Sequence, residues 1–276
     1  GLIVDFVDAD AEKWRAYANE TKAPGRWIYA REFDSLVRYE RAVLDAADAG
    51  ILVSETERRL QSGFAPDGAS KLHVIPNGVD ADYFQPMETA GGTAAKIVFT
   101  GTMDYLPNID AVRWFAHDVL PGVRQACPQA GFQIVGAKPT AEVLALAALP
   151  GVEVVGAVPD IRPYLFGANV IVAPLRIARG IQNKVLEGMA AAKPVVATPQ
   201  ALDGIDAAVG SDVLVGASAT DLIGAVTDVL CQRVAPDLGR RARAYILARH
   251  RWEEALAALD PLVAKILHAR SAQASA

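Results

Sequence analysis

Arg176, Arg179 and Lys184 fall within nine consecutive positions of an acidic chain, and Glu187 is the first acid to follow them. They come directly after the apolar run NVIVAPL (169–175). Read as a helix over 180–192 at about 100° per residue, Gly180, Asn183, Lys184 and Glu187 share one arc. Ile181, Val185, Met189 and Ala192 form a separate apolar arc able to pack on a sheet. A helix N-terminus offers unpaired N–H groups and the positive end of the dipole, and Gly180 leaves room for close approach. With three cations nearby, these residues predict an anion site suited to a phosphate or diphosphate. Glu187, one turn deeper, would be repelled by a diphosphate but can accept hydrogen bonds from ribose hydroxyls, which points to a nucleotide. Residue types alone leave a second reading open, in which Lys184 and Glu187 are a solvated i,i+3 pair on a surface helix.

The surrounding elements must present these residues at one edge of a sheet. From residue 96 onward, short apolar runs alternate with helical patterns: KIVFTG, a helix from Ile109 to about Cys127, FQIVGA, a helix near 140–149, VEVVGAV, and a short helix near 161–167. NVIVAPL, the helix 180–192, PVVAT, DVLVG and a helix over 219–231 follow. This alternation predicts parallel βαβ units and a doubly wound α/β sheet covered on both faces. In such a sheet ligands bind beyond the carboxyl ends of the strands. The first 78 residues hold fewer elements: strands in LIVDFVD, AGILVS and KLHVIP, a long helix over about 31–48, and Ser54 with Glu57 as a capping box. PNGVDADYFQP (76–86) closes that pattern with turn residues, and ETAGGTAA (88–95) reads as a linker. The expected division is 1–85, a partial N-terminal Rossmann-like domain; 86–235, the domain that holds the anion site; and 236–276, terminal helices that return toward the N-terminal part. Those helices are an Arg-rich one to about Arg251 and an amphipathic one from Trp252 to about Ala269.

Composition narrows the function classes. With 52% hydrophobic and 21% charged residues the chain is an ordinary globular one. A formal net charge of −5 argues against a general nucleic-acid binder. Cys127 and Cys231 lie too far apart in sequence for a zinc motif or a disulfide framework, and read as idle thiols in a reducing compartment. No apolar run reaches the roughly 18 residues of a membrane span, and the opening residues carry no secretory-leader pattern.

PLRIARGIQNKVLEGMAAAKPVVAT (174–198) resembles the donor-binding segment of retaining family 4 glycosyltransferases of the GT-B fold, through Pro174, Leu175, Arg176, Gly180, Lys184, Glu187, Met189, Ala190, Pro194 and Ala197. VIPNGVDADYF is similar to the interdomain hinge of that family, FTGTMDYLPNIDAVRWF to its first donor-domain strand and Gly loop, and GAVPDIRPYL to its nucleobase loop. Together the matches run from about residue 2 to 252. Within the family, MDYLPNID and RIARGIQNK look most like bacterial sugar transferases of exopolysaccharide and PEP-CTERM-associated clusters.

The resemblance implies a GT-B enzyme that moves a sugar, with retention, from a nucleoside diphosphate to a saccharide or lipid-linked acceptor. Gly101 and Thr102 would contact the diphosphate, Arg176 and Lys184 would balance its charge, Glu187 would hold the ribose, and Val158 would meet the base through its backbone. The family uses no metal and no cofactor beyond the donor, so none is expected here. Cytoplasmic placement, at the inner face of a membrane, follows from lipid-linked acceptors. The sequence departs from the family where a Glu that contacts the donor sugar is replaced by Arg179. It departs again in the Gly loop GTMDYLPN, which lacks the usual cation, so Arg179 is a candidate to replace it; Gly180 and Asn183, on the polar arc with Lys184 and Glu187, are candidate donor contacts as well. The N-terminal part is also short against the ~150 residues of a whole domain, and is expected to be truncated. The acceptor contacts and catalytic His of the family would then lie in the absent half, and His73, His117, His250 and His268 read as structural or surface residues.

Other signals carry less. The DAD triplets at 8–10 and 80–82 match a metal-binding D-x-D, but both stand where Asp commonly caps or turns the chain. No G-x-G-x-x-G, G-x-S-x-G or Walker A pattern is present. Arg240, Arg241, Arg243, Arg249 and Arg251 would suit anionic lipid or, more simply, a solvated helix face. A nucleotide-sugar epimerase of the same fold and an inactive nucleotide-binding module stand as rival functions.

Overall fold

The computed structural model describes residues 1–87 and 95–274. The linker read at 88–95 therefore lies, but for Ala95, outside the described residues. The chain forms two compact units, Gly1–Asn77 with Glu253–Ala276, and Gly78–Trp252. The divisions expected from the sequence fall at 85 and 235.

The first unit holds a three-stranded parallel sheet of β1 (Ile3–Val7), β2 (Ala49–Leu52) and β3 (Leu72–Val74), in that order. Helices α1 (Asp10–Glu20), α2 (Gly25–Ala46) and α3 (Glu55–Phe64) join the strands. Leu44 of α2 packs with Leu52, Ala65, Leu72 and Phe6. Lys71 Nζ donates to the carbonyls of Leu44 (3.0 Å), Asp45 (2.9 Å) and Ala47 (2.9 Å), capping the C-terminus of α2 with a cation, where the helix dipole favours one. The segment α1 gave no sequence signal, and α2 begins six residues before the helix expected at 31. The capping box at Ser54 is half present. Ser54 Oγ accepts from Glu57 N (3.2 Å), but the buried Glu57 carboxylate accepts from Ala9 N instead (2.7 Å), because burial forces it to a donor inside the fold.

The second unit holds a six-stranded, all-parallel sheet. Its strands are β4 (Lys96–Thr100), β5 (Gly131–Val135), β6 (Val152–Gly156), β7 (Val170–Ala173), β8 (Val195–Ala197) and β9 (Leu214–Val215), in the order β6-β5-β4-β7-β8-β9. Strands β4, β7 and β8 are buried almost throughout, as apolar runs sandwiched between helices must be. Ile97, Phe99, Phe132, Ile134, Leu165 and Ile171 are fully buried, each stabilising the unit by about 1.5–3 kcal/mol. From β4 the chain steps outward to β5 and β6, then returns to the other side of β4 for β7 and continues to β8 and β9. The strand order therefore reverses between β4 and β7, the position where doubly wound sheets open a crevice for ligands.

The helices correct several expected boundaries. The helix read from Ile109 is α4 (Leu106–Trp114), a π-helical turn (Phe115–Val119) and α5 (Leu120–Ala126). Pro121 lacks an N–H and its ring would clash with the carbonyl four residues back, which the wider turn relieves. Next come α6 (Ala141–Ala145), α7 (Arg162–Gly167), α8 (Asn183–Ala190), α9 (Ala219–Leu230) and α10 (Leu238–Arg249). The helix expected over 180–192 starts at Asn183, because Gly180 adopts φ +59°, outside the helical region. The last expected helix divides into α11 (Trp252–Leu256) and α12 (Leu259–Ala274), and α12 packs Leu259, Leu262 and Ile266 on Ile3, Ala49, Ile51 and Ile75 of the first unit. No helix among the described residues is long and apolar enough to cross a membrane.

Candidate functional site

Two loops meet at the reversal of strand order, one after β4 and one after β7. The first is GTMDY (101–105). Gly101 N donates to Val135 O (3.1 Å) and Met103 N to Ala137 O (2.8 Å), so the loop is pinned to the end of β5. Gly136 follows β5 at φ +154°, and a Cβ there would lie 1.7 Å from Gly101 O. Backbone approach this close requires glycine at 136. Thr102 is exposed at the tip.

The second loop, 174–182, is fixed from below. Thr198 N donates to Ala173 O (3.2 Å), and Thr198 Oγ1 to Leu175 O (2.5 Å). Gln182 Nε2 donates to Arg179 O (2.8 Å) and Gly180 O (3.3 Å), folding the loop into α8. No side chain caps the α8 N-terminus, so its first amides are oriented toward whatever lies beyond β7. Asn183 opens this helix as an exposed residue, while Gly180 is buried and Arg179 half-buried in the loop before it.

Lys184 and Glu187 are both half-buried. The solvated surface pair is therefore not what forms. Burial pushes the Lys184 ammonium down to about 8, and Glu187 pulls the other way without cancelling it. Burial likewise raises the Glu187 carboxyl, against the opposing pull of Lys184. Lys184 Nζ lies 5.3 Å from the centroid of the Phe99 ring, a cation–π position, and donates to Asn108 Oδ1 at 3.1 Å. Asn108 Nδ2 in turn donates to Thr102 O at 2.9 Å. Gly101, Thr102 and Lys184 are thus brought together through a residue that the sequence reading did not select. Asn108 was visible as the one amide at the start of the helix after a cation-free Gly loop, but nothing local distinguishes it from a helix-start polar residue.

Arg176 is engaged by a carboxylate of α4. Its guanidinium forms a two-pronged ion pair with Asp110, Nε to Oδ2 at 3.0 Å and Nη2 to Oδ1, and stacks 5.1 Å from the centroid of the Trp114 ring. The carboxylate raises the Arg176 guanidinium further above its ordinary value. Arg176 so ties the β7 loop to α4, and a phosphate would have to compete with Asp110 for it.

Val158 is half-buried in the loop between β6 and α7. That loop is braced by Asp160 and Arg162, whose guanidinium reaches both carboxylate oxygens (Nε at 3.0 Å to each, Nη2 to Oδ2 at 2.8 Å). Arg162 stacks 4.1 Å above the centroid of Tyr83, and its charge-assisted bonds hold the Asp160 carboxyl at about 2. The second DAD triplet has other work: Asp80 Oδ1 accepts from Asp82 N (3.2 Å) and Tyr83 N (2.8 Å), and Asp82 pairs with Arg251 at 3.4 Å. Of the arginines considered for lipid, Arg241 donates to Ser211 O (2.8 Å) and Asp237 (2.7 Å), and Arg243 to Ala190 O and Ala81 O (3.0 Å). With Arg251, three of the five thus serve the fold itself.

The model of the family described as glycosyl transferases group 1 matches residues 94–232, half of the chain and the whole of the β4–α9 sheet. The chain belongs to the group 1 glycosyl transferases. No curated protein matches its sequence. Among solved structures, this glycosyl transferase is similar to sucrose-phosphate synthase from Thermosynechococcus elongatus (TM-score 0.73, 20% identity, covering 97% of this chain and 68% of that one). It is similar to TarM (TM-score 0.68, 17% identity, 82% of this chain and 45% of that one). It is also similar to HepE of Anabaena, solved in complex with UDP and glucose (TM-score 0.65, 14% identity, 97% of this chain and 71% of that one). At these identities the likeness is one of fold, and the fold is of the GT-B type.

Proposed function

We propose that this glycosyl transferase binds a nucleoside-diphosphate sugar at the reversal of strand order in its larger unit and transfers the sugar, with retention, to a saccharide or lipid-linked acceptor. One observation carries the reading: the Gly101–Thr102 loop after β4 and the Lys184 ammonium after β7 meet at one point, joined by Asn108. A half-buried ammonium held by a neutral amide and a ring face, with Glu187 only partly offsetting its burial, is costly, and a diphosphate would supply further countercharge. The Thr102 amide, between two neighbours already bonded to Val135 and Ala137, and the α8 N-terminus would donate to its oxygens. Glu187, one turn along the same face, would accept from the ribose, and the backbone at Val158 would meet the base. Arg179 would add charge that the Gly loop lacks. Arg176 would join only by leaving Asp110. Stabilising the departing diphosphate by fixed cations and amides would do the work that a metal does elsewhere, so no metal is required. HepE, solved with UDP, favours uridine nucleotides as the first probe. A cytoplasmic enzyme of exopolysaccharide assembly, acting at the inner membrane face, is the setting we propose.

The test is a thermal-shift panel of nucleoside diphosphates and nucleotide sugars, each with and without EDTA. At a hundred times Kd a ligand stabilises by about 2.7 kcal/mol, which a melting curve resolves. A shift with at least one nucleoside diphosphate, unchanged by EDTA, is expected. A shift that vanishes in EDTA would restore a metal, and no shift with any nucleotide would end the donor reading.

A further inference from the structure

Asn108 stands at a helix start, is 4% exposed, and carries an amide that burial penalises unless both ends are satisfied. Both are. Oδ1 accepts from Lys184 Nζ (3.1 Å) and Nδ2 donates to Thr102 O (2.9 Å). The two partners fix the orientation of the amide, because an ammonium can only donate and a carbonyl can only accept. The reverse arrangement would place donor against donor and acceptor against acceptor. No other side chain of this size meets both demands: aspartate would repel Thr102 O, and leucine would serve neither. The packing is equally tight, since a Cβ on Gly101 would lie 2.7 Å from Asn108 Nδ2.

We infer that Asn108 is the positioning residue of the donor site, holding the Thr102 carbonyl inward and the Lys184 ammonium in place, and thereby setting the pH range over which that ammonium can bind a diphosphate. The inference rests on the donor reading above. A hydrogen bond from Lys184 to Asn108 Oδ1 favours the charged lysine, because NH3⁺ is the better donor. Burial acts against the charged form of Lys184 and outweighs the coulombic pull of Glu187, which favours it. Of the elements packed around it, β4 presents the face of Phe99 and α4 the neutral Asn108, while Asp110 on α4 is neutralised by Arg176. Removing the amide therefore leaves burial less opposed.

The experiment is calorimetric titration of uridine 5′-diphosphate between pH 7.5 and 10, above the range near 6 in which a terminal phosphate titrates. It compares the unchanged protein with Asn108→Leu, Asn108→Asp and Lys184→Met. In the unchanged protein, affinity falls as pH rises through the lysine titration. Asn108→Leu weakens binding about tenfold at pH 7.5 and moves the fall to lower pH. Asn108→Asp moves it to higher pH, and so still binds at a pH where Asn108→Leu does not. Loss of shape alone would lower affinity without moving the midpoint, so an unmoved midpoint in both variants overturns the inference. Should Asn108→Leu fail to fold by circular dichroism, the direction seen in Asn108→Asp decides. If no nucleoside diphosphate binds the unchanged protein, or Lys184→Met binds uridine 5′-diphosphate as well as it does, the donor reading fails. The NMR titration of the Lys184 ε-methylene without nucleotide then judges the positioning role separately: a midpoint moved by the Asn108 variants sustains it, and an unmoved one overturns it.

Discussion

At Glu187 the chemistry expected of the residue and the environment the fold gives it can be separated by measurement. The carboxyl is raised by burial and only partly relieved by Lys184 three positions earlier. A carboxylate kept in such a place is useful if a ligand brings hydroxyl donors to it. Replacing Glu187 by Ala should weaken uridine diphosphate by about ten- to a hundredfold, the worth of a charge-assisted hydrogen bond, and leave inorganic diphosphate almost unchanged. Competition calorimetry with the two ligands decides; equal losses for both would show that Glu187 acts on Lys184 and not on a ribose. The types Lys184 and Glu187 were legible in the sequence. The roles of Asn108 and Asp110 were not, because each depends on a partner more than sixty residues away.

Between elements, the β4 and β5 loops approach each other closely at Gly136. Gly136 has φ +154° and no room for a Cβ, the nearest atom being a backbone oxygen of Gly101 at 1.7 Å. A side chain there cannot be relieved by rotating a neighbour; the Gly101 loop itself must move. Gly136→Ala is expected to destabilise the larger unit by about 3 kcal/mol or more and to lower nucleotide affinity through the displaced loop. Chemical denaturation and calorimetry read the two effects. A variant with normal stability would mean that the loop shifts freely, and that Gly101 is not held as described. Strand positions were read well from apolar runs, since buried parallel strands leave a strong compositional trace. The extent of α8 was read poorly. The wheel pattern of 180–192 continues through Gly180, and only the left-handed conformation at that glycine ends the helix.

In the first unit, one acid ties the stability of the fold to pH. Glu40 on α2 is 5% exposed, and burial raises its carboxyl to about 7, with Asp10 adding to the shift and Gln61 and the Ala11 backbone opposing it. The unfolded chain would titrate near 4.5. Below that value both states are protonated and Glu40 has no effect on pH dependence. Between 4.5 and about 7 the folded state holds the extra proton, so stability falls as pH rises, and above 7 the full loss is present. The shift corresponds to roughly 3 kcal/mol at most. Glu40→Gln, which has nothing to ionise, should therefore melt above the unchanged protein at pH 8, by on the order of 5 °C, with most of the difference gone at pH 5. A difference that does not change with pH would place the effect in packing.

By itself the sequence determined the class of fold, the run of parallel strands in the larger unit, and the residue types gathered around Lys184 on which the proposed anion site rests. These follow from local causes: apolar runs that only a covered strand can bury, glycines at loop starts, and cations gathered at one helix end. The tertiary structure decided which of those residues meet. Lys184 reaches Asn108 and Arg176 is taken by Asp110 because β7 lies beside β4, a neighbour relation set by the reversal of strand order. It also decided that Ser54 and Glu57 form half a capping box, since Glu57 is buried against Ala9. A hydrogen bond between distant segments leaves no periodic trace in either one, and the strand order that creates it is visible only once the chain has folded.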